Sequence, residues 1–146
     1  GEGRGLLHVN DRDLAWRVFS TLQQLGSVYY LQEFLHHGGF DIRVLFVGDS
    51  YFAMKRQVDE GWRTNVSQGS QALPHCLSQV ELDLARQAYG AVGAEVAGVD
   101  LLPCEDGGLR VLEVNAVPGW LALQKVCNED ISKRVIDYAV QKCSSC

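Results

Sequence analysis

Three oxygen-bearing side chains interrupt an otherwise apolar stretch. Residues 98–120 read GVDLLPCEDGGLRVLEVNAVPGW, two apolar runs around an Asp106-Gly107 pair, with Asp100 in the first run and Glu113 and Asn115 in the second. Asp-Gly is a favoured two-residue hairpin connection. With that connection Asp100 falls directly opposite Glu113, while Asn115 shares the face of Glu113 and meets Gly98, which has no side chain. Directly paired residues hold their Cβ atoms about 5 Å apart, where two full charges repel by roughly 3 kcal/mol at an effective dielectric of 20. A shared proton would offset that repulsion, as in acid–base dyads. So would a hard divalent cation, and Mg2+ (or Mn2+) suits a set that supplies only oxygen. Two carboxylates facing solvent on an open sheet are the plain alternative.

Cations gather upstream. A three-residue loop at 48–50 would set Arg43 opposite Lys55, an unfavourable pair unless an anion lies between them. Arg56 and Arg63 follow, the latter beside Thr64 and Asn65, so a chain of net charge −5 collects four cations within 21 positions, from 43 to 63. A solvated basic face would explain each residue singly. A metal carrying phosphates would satisfy the acids and the cations together, which points to a nucleotide.

The elements that must carry these residues follow from local pattern. Residues 10–25 open on a capping Asn or Asp and place Leu14, Val18, Leu22 and Leu25 at helical spacing before Gly26. Residues 28–35 are aromatic and β-branched enough to predict a strand, followed by a flexible HHGGF loop. Two strands are expected at 41–47 and 51–58, then a long loop over 59–75 of the kind that is often functional. Ser78 with Glu81 three residues on forms a capping box that starts a helix. The hairpin of the first paragraph comes next, and helical patterns cover 119–127 and 129–142. The sum is an α+β arrangement, an antiparallel sheet with helices on one side, without the βαβ alternation of a parallel sheet.

Composition narrows the function classes. The chain has 146 residues, 47% of them hydrophobic and 21% charged, enough for one core. Its acidic balance argues against nucleic acid as a partner, and no apolar run is long enough to predict a membrane span. Five cysteines, odd in number and scattered, favour a reducing cytoplasm over a disulfide framework. Cys143 and Cys146 have C-x-x-C spacing, but a frayed tail explains them better than a redox or zinc site. The opening GEGRGLL, glycine at three of its first five positions, suggests a chain cut inside a glycine-rich loop and hence the carboxy-terminal piece of a longer protein.

The segments YLQEFL, DIRVLFVGD, MKRQ, WRTNVSQG, GVDLL and LEVNAVPGW occur in this order from about residue 30 to 120. Together they resemble the carboxy-terminal half of the RimK-like ATP-grasp ligases. The resemblance implies an enzyme that uses ATP and Mg2+ to phosphorylate a carboxylate. An amine, commonly that of glutamate, then displaces the phosphate and forms an amide. It implies that residues 1–26 end a first ATP-grasp lobe, with a glycine-rich loop over the phosphates, and that 27–146 form the carboxy-terminal lobe.

By motif, Glu33 and Phe34 would lie in the hinge that meets adenine, and Asp41 at the ribose hydroxyls with Arg43 following. Arg63, Thr64 and Asn65 would contact the nucleotide. Asp100, Glu113 and Asn115 would hold the metal, while Arg56 and Arg63 would act on the phosphates. Gly119, opening a helix after Pro118, would offer N–H groups to an acceptor or oxyanion. Thr64 stands where many relatives have Ser, and Trp120 replaces a smaller aliphatic residue near the acceptor. The phosphate-binding lysines of the first lobe would precede Gly1, so this piece alone is expected to be inactive. Two rivals remain: a nucleotide-binding module without catalysis, and an acid–base hydrolase built on Asp100 and Glu113. The acceptor is left open.

Overall fold

The computed structural model describes residues 5–58, 61, 64 and 70–144. The chain divides into two compact units, Gly1–Leu35 and His36–Cys146.

The first unit holds one helix, α1 (Arg12–Gln24). Asp11 caps it, its Oδ1 accepting from the Leu14 N–H at 2.8 Å, which satisfies a donor the helix itself cannot. Gly26 closes it in the left-handed region at φ +63°. No residue of α1 is buried. Phe19 stacks on Tyr29 at 5.6 Å and His8 on Phe34 at 3.7 Å between centroids. Residues 28–35 form no strand, contrary to their composition. Strand propensity describes side chains that fit a half-buried pleat, and this segment is not among the paired strands of the described sheet.

The second unit is built on β1 (Phe40–Val47), β2 (Ser50–Gln57), β3 (Gln71–Pro74), β4 (Val96–Pro103) and β5 (Leu109–Asn115). They form one five-stranded sheet in the order β3-β2-β1-β4-β5, with all four pairings antiparallel. The expected α+β antiparallel sheet is therefore present. Its edge strand β3 lies inside the stretch read as loop, where a polar flank hides a short strand.

The helices are α2 (Gln79–Val92), α3 (Leu121–Cys127) and α4 (Ile131–Ser144). They divide between both faces of the sheet instead of gathering on one. On one face Ile42, Val44, Phe46, Val99 and Leu101 pack with Ala85, Leu84 and Tyr89 of α2; the Phe46 and Tyr89 rings stack at 4.5 Å. On the other, Leu45, Val47 and Met54 pack with Leu123 of α3 and Ile131 of α4. Both faces of β1 are apolar from residue 44 onward, so a single helical layer would leave one uncovered. The Ser78–Glu81 capping box is present, and Gly93 ends α2 in the left-handed region. No described helix is long and apolar enough to cross a membrane.

Candidate functional site

Strand alternation puts Asp41, Arg43, Leu45 and Val47 of β1 on one face. The β1–β2 register pairs Asp41 with Arg56, Arg43 with Met54 and Val47 with Ser50. The connection is therefore the two residues Gly48-Asp49, not the three-residue loop expected, with Gly48 in the left-handed region at φ +55°. One residue of slip moves Lys55 to the other face, opposite Ile42. Arg43 and Lys55 therefore do not oppose one another, and the anion inferred to lie between them loses that support.

The β4–β5 hairpin pairs Asp100 with Glu113 and Gly98 with Asn115, as the spacing predicts. The route there is different. Nearer the turn Leu101 pairs with Val111 and Pro103 with Leu109, and the register shifts between Asp100 and Leu101. The loop is Glu105-Asp106-Gly107, closed by the Cys104 N–H donating to the Gly108 carbonyl at 2.8 Å, with Gly107 at φ +80°. Leu112 is then the extra residue of a β-bulge. A turn one residue longer and a bulge of one residue cancel, leaving the carboxylates opposite each other. Gly98 is required for a different reason than open space: a Cβ there would lie 2.9 Å from the Pro118 Cβ.

On this shared face the charges form a continuous network. Arg43 forks Asp100, Nε to Oδ1 and Nη2 to Oδ2, both at 2.7 Å. Arg56 forks Asp41 through Nε at 2.6 Å and Nη2 at 2.7 Å, and the same Nη2 reaches Asp100 Oδ2 at 2.7 Å. The Thr64 hydroxyl donates to Asp41 Oδ2. Arg43 Nη2 also lies 3.6 Å from Glu113 Oε1. Asp41 is 1% exposed, and Arg56 and Asp100 are 2% exposed, whereas the Glu113 side chain is 53% exposed.

Burial shapes these ionisations, and the partners decide the direction. Burial would raise Asp100, but hydrogen bonds and charge from Arg43 and Arg56 outweigh it and hold that carboxyl below its ordinary value. At Asp41 burial prevails over Arg56 and Thr64 and pushes the carboxyl up. Burial would lower Arg56, yet Asp41 and Asp100 hold its guanidinium above its ordinary value, and the fork it makes with Asp41 is that of an ion pair. Glu113 is pushed up by burial and then by the adjacent Asp100 charge, with Arg43 opposing.

The donor chemistry fits a hard cation. Among the described residues no three His, Cys, Asp or Glu side chains cluster to hold a metal by themselves, so a cation at Asp100 and Glu113 would also need the amide oxygen of Asn115. Its Oδ1 accepts the Val117 N–H at 2.9 Å and keeps a second lone pair. Glu113 is the most open donor. Among the described residues Asp100 Oδ2 accepts two bonds and Oδ1 one, so Oδ1 is the oxygen better placed to take a ligand. Mg2+ commonly takes one or two carboxylates and completes its shell with water and phosphate oxygens.

Other expected residues fall elsewhere. Glu33 and Phe34 belong to the first unit. Asp41, expected at the ribose, and Arg56, expected at phosphates, are buried against each other and offer almost no surface. Arg63 and Asn65 lie outside the described residues, as does Cys146 of the C-x-x-C pair. The helix after Pro118 begins at Leu121, not at Gly119, and has seven residues. Trp120 donates its indole N–H to Ser132 Oγ at 3.0 Å and packs with the α3–α4 core. Both carboxylate oxygens of Glu81 lie 3.3 Å from His75 Nε2. Sequence reasoning missed the Asp41–Arg56–Asp100 link; a two-residue turn at Gly48-Asp49 would have set Asp41 opposite Arg56, but the β1–β4 pairing is what brings Asp100 to the same guanidinium.

A family model for the RimK-like ATP-grasp domain matches residues 2–139. The tetrahydromethanopterin:alpha-L-glutamate ligase of Methanococcus maripaludis is 32% identical over 144 residues, covering 95% of this chain and 49% of that protein. A probable alpha-L-glutamate ligase of Legionella pneumophila is 33% identical over 144 residues, covering 97% and 47%. This chain thus spans about half the length of the curated relatives it matches. Among solved structures, the ATP-grasp ligase PsnB complexed with its minimal precursor superposes with a TM-score of 0.60 at 28% identity, over 75% of this chain and 35% of PsnB. PsnB complexed with minimal precursor, Mg and ADP gives 0.53 at 25% identity, over 70% and 34%.

Proposed function

Since this chain belongs to the RimK-like ATP-grasp family, we propose that it is the carboxy-terminal lobe of an ATP-dependent, ADP-forming carboxylate–amine ligase. The added unit in this reading is glutamate, supported by the names of the curated relatives. The acceptor is a protein or small-molecule carboxylate. Residues 1–26 would end the first lobe. We place the enzyme in the cytoplasm on its odd, scattered cysteines. One observation carries the proposal: Asp100 and Glu113 face each other across one hairpin, Asn115 stands two residues on, and Arg43 lies beside both acids.

The reaction makes a poor electrophile reactive. The γ-phosphoryl group of ATP passes to an acceptor carboxylate oxygen, and ADP leaves. The amine nitrogen then attacks the carbonyl carbon of the acyl phosphate, inorganic phosphate departs with that oxygen, and the nitrogen gives up a proton. The transition state of phosphoryl transfer spreads charge over oxygens, so the protein contributes positioning and neutralisation. Glu113, Asn115 and Asp100 through Oδ1 would hold Mg2+ (or Mn2+), which supplies positive charge to the phosphates when bound. Arg43, 13% exposed at its side chain, orients Asp100 through Nε and Nη2 and would offer Nη1 to a phosphate oxygen. Arg63, Thr64 and Asn65 would contact the nucleotide. In this reading Arg56 acts on the phosphates only through Asp100.

Glu113→Gln in the full-length protein tests the reading. It should lower ATP-dependent phosphate release by at least about 100-fold with the thermal midpoint nearly unchanged. Wild-type turnover would refute the metal assignment. Activity that survives EDTA would favour the hydrolase, and nucleotide binding without turnover in the full-length wild type would favour the binding module.

A further inference from the structure

Asp100 is a poor cation ligand on the face of it. Two guanidinium groups already reach it, Arg43 through a fork and Arg56 through Nη2. Counted alone, Arg43 and Arg56 cancel Asp100 and Glu113, leaving nothing to attract a divalent ion. Asp41 changes the count. It brings a third carboxylate against two guanidinium groups and is 1% exposed, so its charge acts through a medium that screens poorly.

Geometry adds to the charge argument. Asp41 takes both Nε and Nη2 of Arg56, which leaves Asp100 only a shared Nη2 contact. Without that grip the Arg56 fork would be available to Asp100. Thr64 orients Asp41 by donating to Oδ2.

We propose that Asp41 is a positioning residue for the metal carboxylates: it neutralises and restrains Arg56 so that the Asp100–Glu113 pair keeps a net negative charge toward a divalent cation. This rests on the metal reading above. It also gives Asp41 a role that needs no contact with the ribose.

The test is Mn2+ binding to the full-length protein without nucleotide, measured by calorimetry beside the thermal midpoint. Asp41→Asn removes one negative charge and should weaken Mn2+ binding by about tenfold or more, the range found when partners of metal ligands are altered. The double variant Asp41→Asn/Arg56→Gln restores the charge count and should return toward wild-type affinity, even if both variants melt earlier. A purely structural Asp41 predicts the opposite pattern, with affinity following the midpoint; that result, or wild-type affinity in Asp41→Asn, overturns the proposal. If Asp41→Asn does not fold, Arg56→Gln alone should bind Mn2+ more tightly than the double variant, and the reverse order overturns it. Glu113→Gln separates the two readings. If it leaves affinity unchanged the metal site itself fails, whereas loss there with wild-type affinity in Asp41→Asn removes only the role of Asp41.

Discussion

One face of the sheet holds two halves made from the same strands. Toward its Val47 end β1 presents Leu45 and Val47, covered with Met54 by Leu123 and Ile131 of the two carboxy-terminal helices. Toward its Phe40 end it presents Asp41 and Arg43, tied to Arg56, Asp100 and Glu113. In both halves the β1 and β4 side chains are buried or half-buried. The apolar half gains stability from area removed from water, which needs no particular partner geometry. The charged half needs every partner in place, because a desolvated ion without its counter-ion is costly. One half can therefore tolerate repacking, and the other can offer chemistry.

Breaking the charged half should give the larger effect. Asp100→Ala takes the fork from Arg43 and one of two carboxylates from Arg56, and should destabilise the protein by about 3–5 kcal/mol in denaturant titrations, with loss of ATP turnover. A loss below about 1 kcal/mol would mean that the network is loosely held. Leu45→Ala, in the other half, should cost about 2–5 kcal/mol through the cavity it leaves. Turnover per folded molecule should stay near wild type, because the Leu45 side chain packs in the apolar cluster with Met54, Leu123 and Ile131. If that turnover fell as far as in Asp100→Ala, the two halves would not be functionally separate.

The smallest expected effect lies on the opposite face and serves as a reference. Glu81 accepts from the Ser78 N–H at 2.6 Å and from its hydroxyl at 2.9 Å in the α2 capping box. Burial would raise its carboxyl, but the Ser78 hydrogen bonds and His75 outweigh it and lower the value. A carboxyl lowered on folding contributes stability that is present at and above its ordinary titration near 4.5, and that is lost as pH falls through the depressed folded value. Glu81→Gln should cost about 1 kcal/mol at neutral pH. The difference from wild type should shrink as pH drops below the ordinary carboxylate range. A constant difference in melting free energy down to pH 3 would remove Glu81 from the acid response.

How much was legible varies with the range of the interaction. Asp11 and the Ser78–Glu81 pair announce helix starts from a few adjacent residues, and both caps are present. The pairing of Asp100 with Glu113 was readable too, but only because the longer turn and the bulge at Leu112 compensate. The β1–β2 register was not. The segment Gly48-Asp49-Ser50 is compatible with a loop of two or three residues, and choosing wrongly set Arg43 against Lys55 instead of Asp41 against Arg56. Residues 28–35 misled in the other direction, since aromatic and β-branched composition cannot supply a strand partner.

By itself the order of residues determined the helix caps, the antiparallel class and the oxygen-bearing side chains of Asp100, Glu113 and Asn115, because each depends on residue type and near neighbours. Only the tertiary structure decided that Asp41 and Arg56 are buried against each other, that one guanidinium links two carboxylates, and that helices cover both sides of the sheet. Those outcomes depend on register and on contacts between strands distant in sequence. A shift of one residue reverses which face every side chain takes.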